Sequence, residues 1–200
     1  MRFAVLASGQ GTNLQALLDA EARGELTPAA IAVVLTNRDH AGALTRARAA
    51  GKPTCVVPHG DYASRGDFEG AMLEALAPHK VDGVVLAGFM RVLTARFLDA
   101  FPERVVNTHP SLLPAFPGMH AAQQALDHGV KVAGCTLHLV ETGVDTGPII
   151  AQSSVPVHDG DTADTLQKRI QAEEHRLLPH VVRRMAGETM TVTGRLVTFG

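Results

Sequence analysis

Phe3-Ala-Val-Leu-Ala-Ser-Gly-Gln-Gly-Thr-Asn-Leu14 starts with an unbroken run of small and apolar residues and then turns at Gly9 and Gly11. An apolar run of that length suits a strand covered on both faces. From Leu14 a helical pattern continues to Arg23, so the stretch reads as strand, tight turn, helix. The unit then recurs. Ile31 to Leu35, Thr54 to Val57 and Val84 to Ala87 are further apolar runs, with helical stretches over Gly42 to Ala50 and Arg65 to His79 between them. Repeated strand-helix units of this length predict a parallel sheet with right-handed crossovers.

Beyond a short strand at Val105-Val106 the texture changes. A Pro- and Gly-rich loop follows, then a helix over Ala121 to His128, and strands over Ala133 to Val140 and Ile149 to Pro156. A long helix starts near Thr162, and Met190 to Phe199 alternates like a small hairpin around Gly194. No linker, internal repeat or low-complexity segment divides the chain. The fold expected is α/β: a single Rossmann-like domain over residues 1–200, with a mostly parallel central sheet flanked by helices.

Composition narrows the function. Two hundred residues suffice for one domain with a real core. A net charge of −2 offers no basic field of the kind nucleic-acid binders carry. The ten histidines are scattered, and none has the spacing of a helical metal site, so no metal is expected. Cys55 and Cys135 are read as small buried hydrophobes in a reducing compartment. The apolar stretch Val84 to Met90 is far shorter than the roughly 20 residues a membrane helix needs. Met1 leads straight into a strand, not into a signal peptide. The expectation is a soluble, cytoplasmic protein acting on small molecules, without nucleic acid or membrane, as a monomer or homodimer.

Three places carry chemistry. At Gly9-Gln-Gly11 the backbone can approach a ligand, and the helix that follows offers its positive end, which suits a phosphate. The dinucleotide fingerprint is not met, because Leu14 stands where its third glycine belongs. A plain turn capped by Thr12 or Asn13 fits the same residues. Next, Val105-Val-Asn-Thr-His-Pro-Ser-Leu-Leu-Pro114 places Asn107 and His109 on one side of a strand end, between restrictive prolines. An amide donor beside an imidazole can serve an oxygen and a proton; a capping Asn and a surface His read equally well.

The third place is the long helix. At 100° per residue, Leu166, Ile170, Leu177, Leu178, Val181, Val182 and Met185 form one apolar stripe. Glu174 falls near its middle and Glu173 at its edge. A carboxylate there needs hydrogen-bond partners or a proton. Pro179 lies within the same helix and is expected to bend it.

Together these motifs resemble the folate-dependent formyltransferases. The resemblance rests on Asn107-Thr-His-Pro-Ser-Leu-Leu-Pro114 and on the Gly-flanked loop Glu141-Thr-Gly-Val-Asp-Thr-Gly-Pro148. Ser8 to Asn13, Leu86 to Leu93 and Gln171 to His175 extend it over the whole chain. The pattern is nearest to the branch that formylates glycinamide ribonucleotide in purine synthesis. It implies 10-formyltetrahydrofolate as co-substrate and no covalent enzyme intermediate.

By resemblance, Gly11, Thr12 and Asn13 hold the ribonucleotide phosphate and Glu174 its ribose hydroxyls. Met90, Arg91, Val92 and Leu93 line the folate pocket, and Arg65 meets the anionic tail of the folate. Val140, Glu141, Thr142, Gly143, Val144 and Asp145 close over the pterin, with Asn107 beside it. Asn107, His109 and Asp145 are the catalytic set implied, with His138 as possible support. Taken alone, Met90 and Leu93 read as core, Arg65 as an exposed first-turn residue, and Asp145 as a turn residue.

The loop Ala115 to Gln124 departs from close relatives, which often carry His at the place of Ala122 and Lys or Ser at that of Ala115. Beyond closing the site no role is assigned to it, and His120 is only a weak candidate. Rival readings are another formyl-folate enzyme, a non-catalytic nucleotide-binding module, and a dehydrogenase, the last disfavoured by Leu14.

Overall fold

The computed structural model describes all 200 residues. In chain order it runs β1 (Arg2–Ala7), α1 (Thr12–Ala22), β2 (Ala30–Thr36), α2 (Gly42–Ala49), β3 (Thr54–Val56), α3 (Arg65–Leu76), β4 (Gly83–Leu86), α4 (Ala95–Leu98) and β5 (Val105–His109). There follow α5 (Ala121–Asp127), β6 (Val132–Leu139), β7 (Ile149–Pro156), α6 (Ala163–Gly187), β8 (Met190–Thr193) and β9 (Leu196–Phe199). One sheet holds every strand, in the order β3-β2-β1-β4-β5-β6-β7-β9-β8. β1 to β5 are parallel to one another, as the alternation predicts. β6 runs antiparallel to both its neighbours, and β8 and β9 form an antiparallel hairpin at the edge.

The chain steps outward from β1 to β2 and β3, then returns to add β4 on the other side of β1. Open α/β sheets bind ligands in the crevice at such a reversal, beyond the carboxyl ends of the strands. Here that places Ser8 and the Gly-rich turn on one lip, and Gly88 to Met90 on the other. The sheet is covered on both faces. Twenty-one buried apolar residues pack it against α1, α2 and α6, and fourteen pack its opposite face against α3 and α4. The α6 stripe goes inward as its periodicity requires, with Leu177 only partly covered. α6 runs as one helix through Pro179, and Thr162 and Thr165 form a reciprocal capping box at its start.

Three elements differ from the sequence reading. β5 continues past Val106 to His109, because Asn107, Thr108 and His109 pair with His138, Leu137 and Thr136 of β6. The helix begun at Arg65 ends at Leu76 and tightens to a 3₁₀ turn over Ala77–His79, where Pro78 lacks an N–H to continue it. Cys135 is fully buried, but Cys55 on the short strand β3 is only half-buried.

Gly11 caps α1 in the left-handed region, at φ 73, with no side-chain cap from Thr12 or Asn13. A Cβ there would lie 2.8 Å from both Cα and Cβ of Ala43 on α2. Strain and overlap together should make Gly11→Ala destabilising by about 1–3 kcal/mol. Urea denaturation of the two proteins measures it, and equal midpoints would contradict the packing described.

Candidate active site

β5 delivers Asn107 and His109 to the same side, and the loop after β6 brings Asp145 to meet them. His109 Nδ1 lies 3.2 Å from Asp145 Oδ2, with both side chains nearly buried. Asn107 Nδ2 lies 3.5 Å from Asp145 Oδ1 and 3.2 Å from Nε2 of His138. The loop can return this closely because residue 147 is glycine; any Cβ there would overlap the Leu139 carbonyl oxygen. Asp145 itself has φ 53, a left-handed conformation that short polar side chains adopt more readily than most. The segment after β5 is fixed from beneath. Thr136 Oγ1 donates to the Ser111 carbonyl (2.6 Å) and accepts from Leu113 N (3.0 Å) and from Gln152 Nε2 (2.9 Å).

Hydrogen bonding constrains the two rings. His138 Nδ1 faces the Leu139 carbonyl at 2.8 Å and so carries a hydrogen, while its Nε2 lies 3.2 Å from Asn107 Nδ2 and 3.5 Å from Asp145 Oδ1. His109 Nε2 faces the Phe116 carbonyl at 2.9 Å while its Nδ1 faces Asp145. Both partners are acceptors, and a ring with hydrogen on both nitrogens satisfies them together. Burial works against the charge on Asp145. The His138 ring, the Gly118 amide (2.8 Å) and the nearby His109 outweigh burial and hold the carboxyl below its ordinary value.

Thr108 points to the opposite side of β5 from its two neighbours. Its hydroxyl donates to Glu174 Oε1 at 3.0 Å, and Asn13 Nδ2 donates to Oε2 at 3.3 Å. Glu174 is 4% exposed, so α6 drives a carboxylate between the start of α1 and the strand that carries Asn107 and His109. One turn earlier on α6, Gln171 Nε2 donates to Thr12 Oγ1 at 2.7 Å. Beside this contact a cavity opens between Thr12, Gln15, Arg46 and His175.

The segments expected to meet a folate lie on the surface. Met90 is 61% exposed, Val92 40% and Val144 52%, and Arg91 is exposed, so these apolar groups are not core. Leu93 is core, and Val140 packs against the same apolar cluster. A cavity borders Val140, Glu141 and Thr142, together with Leu98 and Phe101, but not Met90 to Leu93. Arg65 stands exposed at the start of α3 behind the Ser64 cap, with no hydrogen bond that draws it toward the cluster.

The formyl transferase family model matches residues 1–182. The chain belongs to that family. It is 48% identical over 199 residues to the phosphoribosylglycinamide formyltransferase of Mycobacterium tuberculosis, covering all of this chain and 91% of that protein. A protein of the same name from Bacillus subtilis is 40% identical, over 93% of this chain and 95% of its own length. Among solved structures, glycinamide ribonucleotide transformylase 1 of Symbiobacterium toebii superposes with a TM-score of 0.97 at 50% identity, covering all of this chain and 93% of that one.

Some groups around this cluster escape a reading of residue types. The Phe116 carbonyl and the Gly118 amide come from the loop after β5, and backbone groups carry no sequence signal. Thr108 was legible as the inward neighbour of two outward side chains, and Gln171 as the residue one turn before Glu174. His120 is exposed at the cap of α5, away from every hydrogen bond of the cluster.

Burial raises the Glu174 carboxyl above its ordinary value, against the opposing bonds from Thr108 and Asn13. Such a group contributes stability that is complete below the unfolded-state pKa and lost as pH rises through the folded one. Glu174→Gln keeps an acceptor for Thr108 and removes the titration. As pH rises above the ordinary carboxylate range, the melting temperature of the variant should therefore gain on that of the parent. A difference that stays constant with pH would mean Glu174 does not titrate in a buried site.

Proposed function

We propose that the chain transfers the formyl group of 10-formyltetrahydrofolate to the amine of 5-phosphoribosylglycinamide. The products are formylglycinamide ribonucleotide and tetrahydrofolate. The single observation that carries this reading is the convergence of Asn107, His109 and Asp145 beside the crevice where the strand order reverses. The amine attacks the formyl carbon, and the carbonyl oxygen becomes an alkoxide. Asn107 Nδ2 and a ring N–H of His109 donate to that oxygen in the transition state. As the tetrahedral centre collapses, the bond from carbon to folate N10 breaks and the proton lost by the amine ends on N10. Asp145, directly or through a water, relays that proton and keeps His109 a donor.

Both donors are occupied in the free protein, His109 by the Phe116 carbonyl and Asn107 by the Asp145 carboxylate. Substrate arrival exchanges those partners for the formyl oxygen. The N-terminal half supplies the ribonucleotide phosphate site at Gly11, Thr12 and Asn13, where the first turn of α1 has no side-chain cap competing for it. Glu174 takes the ribose hydroxyls. The C-terminal half supplies catalysis and the folate-closing segment Val140 to Asp145, and the N-terminal half adds Met90 to Leu93 with Arg65 at the anionic tail.

An absorbance assay of formyl-folate consumption with and without the ribonucleotide separates this reading from hydrolysis. Consumption should require the ribonucleotide, and turnover without it selects a hydrolase. His109→Ala and Asp145→Asn should each slow transfer by roughly 10²–10⁴ with unchanged circular dichroism. Near-normal rates in either folded variant remove that residue from the mechanism. Asn107→Ala should lower kcat by the equivalent of about 2.7–4 kcal/mol. If only KM rises, Asn107 is a binding residue instead.

A further inference from the structure

Ser8 belongs to the first strand-to-helix turn and takes no part in the chemistry above, yet it is only 3% exposed. Its position is particular. It follows β1 directly, on one lip of the crevice, and faces the segment that follows β4 on the other. The Ser8 amide donates to the Gly88 carbonyl at 3.1 Å, extending the β1–β4 pairing by one step beyond the strands. The side chain then makes a second link across the same gap, for Ser8 Oγ accepts from the Met90 amide at 2.9 Å.

The two segments joined this way are otherwise held by different parts of the fold. On the Ser8 side, Gly9 accepts from the Ala43 amide at 3.1 Å and Gly11 packs tightly on Ala43, so the turn is seated on α2. On the other side, Phe89 and Leu93 sink into the core and raise Met90, Arg91 and Val92 between them. The far end of that arch is tied to α3. The Thr94 amide donates to Oε1 of buried Glu69 at 2.7 Å, and the Thr94 hydroxyl donates to Oε2. No hydrogen bond other than that from Ser8 Oγ holds the near end of the arch by a side chain.

We propose that Ser8 is a positioning residue that fixes the Met90–Val92 arch relative to the Gly11–Asn13 turn, so that the formyl donor meets the ribonucleotide at one separation. This rests on the reading in which the arch borders the folate and the turn holds the ribonucleotide. Removing the hydroxyl frees the arch at one end and leaves the turn seated on α2, so the effect falls on one substrate. Ser8→Ala should raise KM for 10-formyltetrahydrofolate roughly tenfold, the equivalent of one lost hydrogen bond. KM for the ribonucleotide should stay within about twofold.

Ser8→Cys keeps a side chain of the same connectivity, slightly larger, with a poor acceptor, so it should follow Ser8→Ala in kinetics. Hydrogen exchange without substrates gives a readout independent of activity: the Met90 amide should lose protection in both variants, and the Ala43 amide should keep it. Equal changes in both KM values, unchanged kinetics despite a deprotected Met90 amide, or a Met90 amide that stays protected would each overturn the proposal. A parent protein that transfers no formyl group fails the functional reading and this proposal together. A parent that transfers it, with Ser8 variants that match it, fails this proposal alone.

Discussion

The Asp145 carboxylate is where the separate parts of the site meet. One oxygen lies against His109 of β5 and the Gly118 amide of the following loop; the other lies against Asn107 and His138. A charge with that many partners tolerates burial, because each polar neighbour replaces part of the hydration it has lost. The geometry in turn demands a loop that doubles back against its own strand. Gly147 permits the close approach, and the left-handed conformation of Asp145 turns the side chain inward.

β5 therefore runs between two buried carboxyls held in opposite ways. On one face, Asp145 is kept charged by the groups around it. On the other, Glu174 is pushed toward its neutral form by burial, with Thr108 and Asn13 as its partners. Alternation along the strand decides which residue meets which: Asn107 and His109 turn to Asp145, and Thr108 between them turns to Glu174. A ligand that engages Glu174 thus meets a carboxyl that Thr108, of the strand presenting Asn107 and His109, already holds. No chain of intermediate contacts is needed to connect the two.

Much of this was legible in the sequence, for identifiable reasons. Apolar runs such as Phe3 to Ala7 and Val84 to Ala87 gave away the parallel sheet, since only strands covered on both faces need them. Glu174 showed as a charged residue in the stripe of α6. The end of β5 was misread because Asn107, Thr108 and His109 are polar, and a polar run looks like a loop until its partner strand is known. Met90 and Leu93 both read as core by residue type; the structure buries Leu93 beside Phe89 and exposes Met90. The roles of the Phe116 carbonyl and the Gly118 amide depend on where the backbone travels, which residue identity does not encode.

If His109 and Asp145 act as one unit, their losses are not independent. A double-mutant cycle on kcat/KM for formyl transfer, built from His109→Ala, Asp145→Asn and the combined variant, tests this directly. The combined variant is expected to be about as slow as the slower single variant, as for groups that serve one step together. Losses that multiply across the two substitutions would show that the residues act separately, and would contradict the account given of the site.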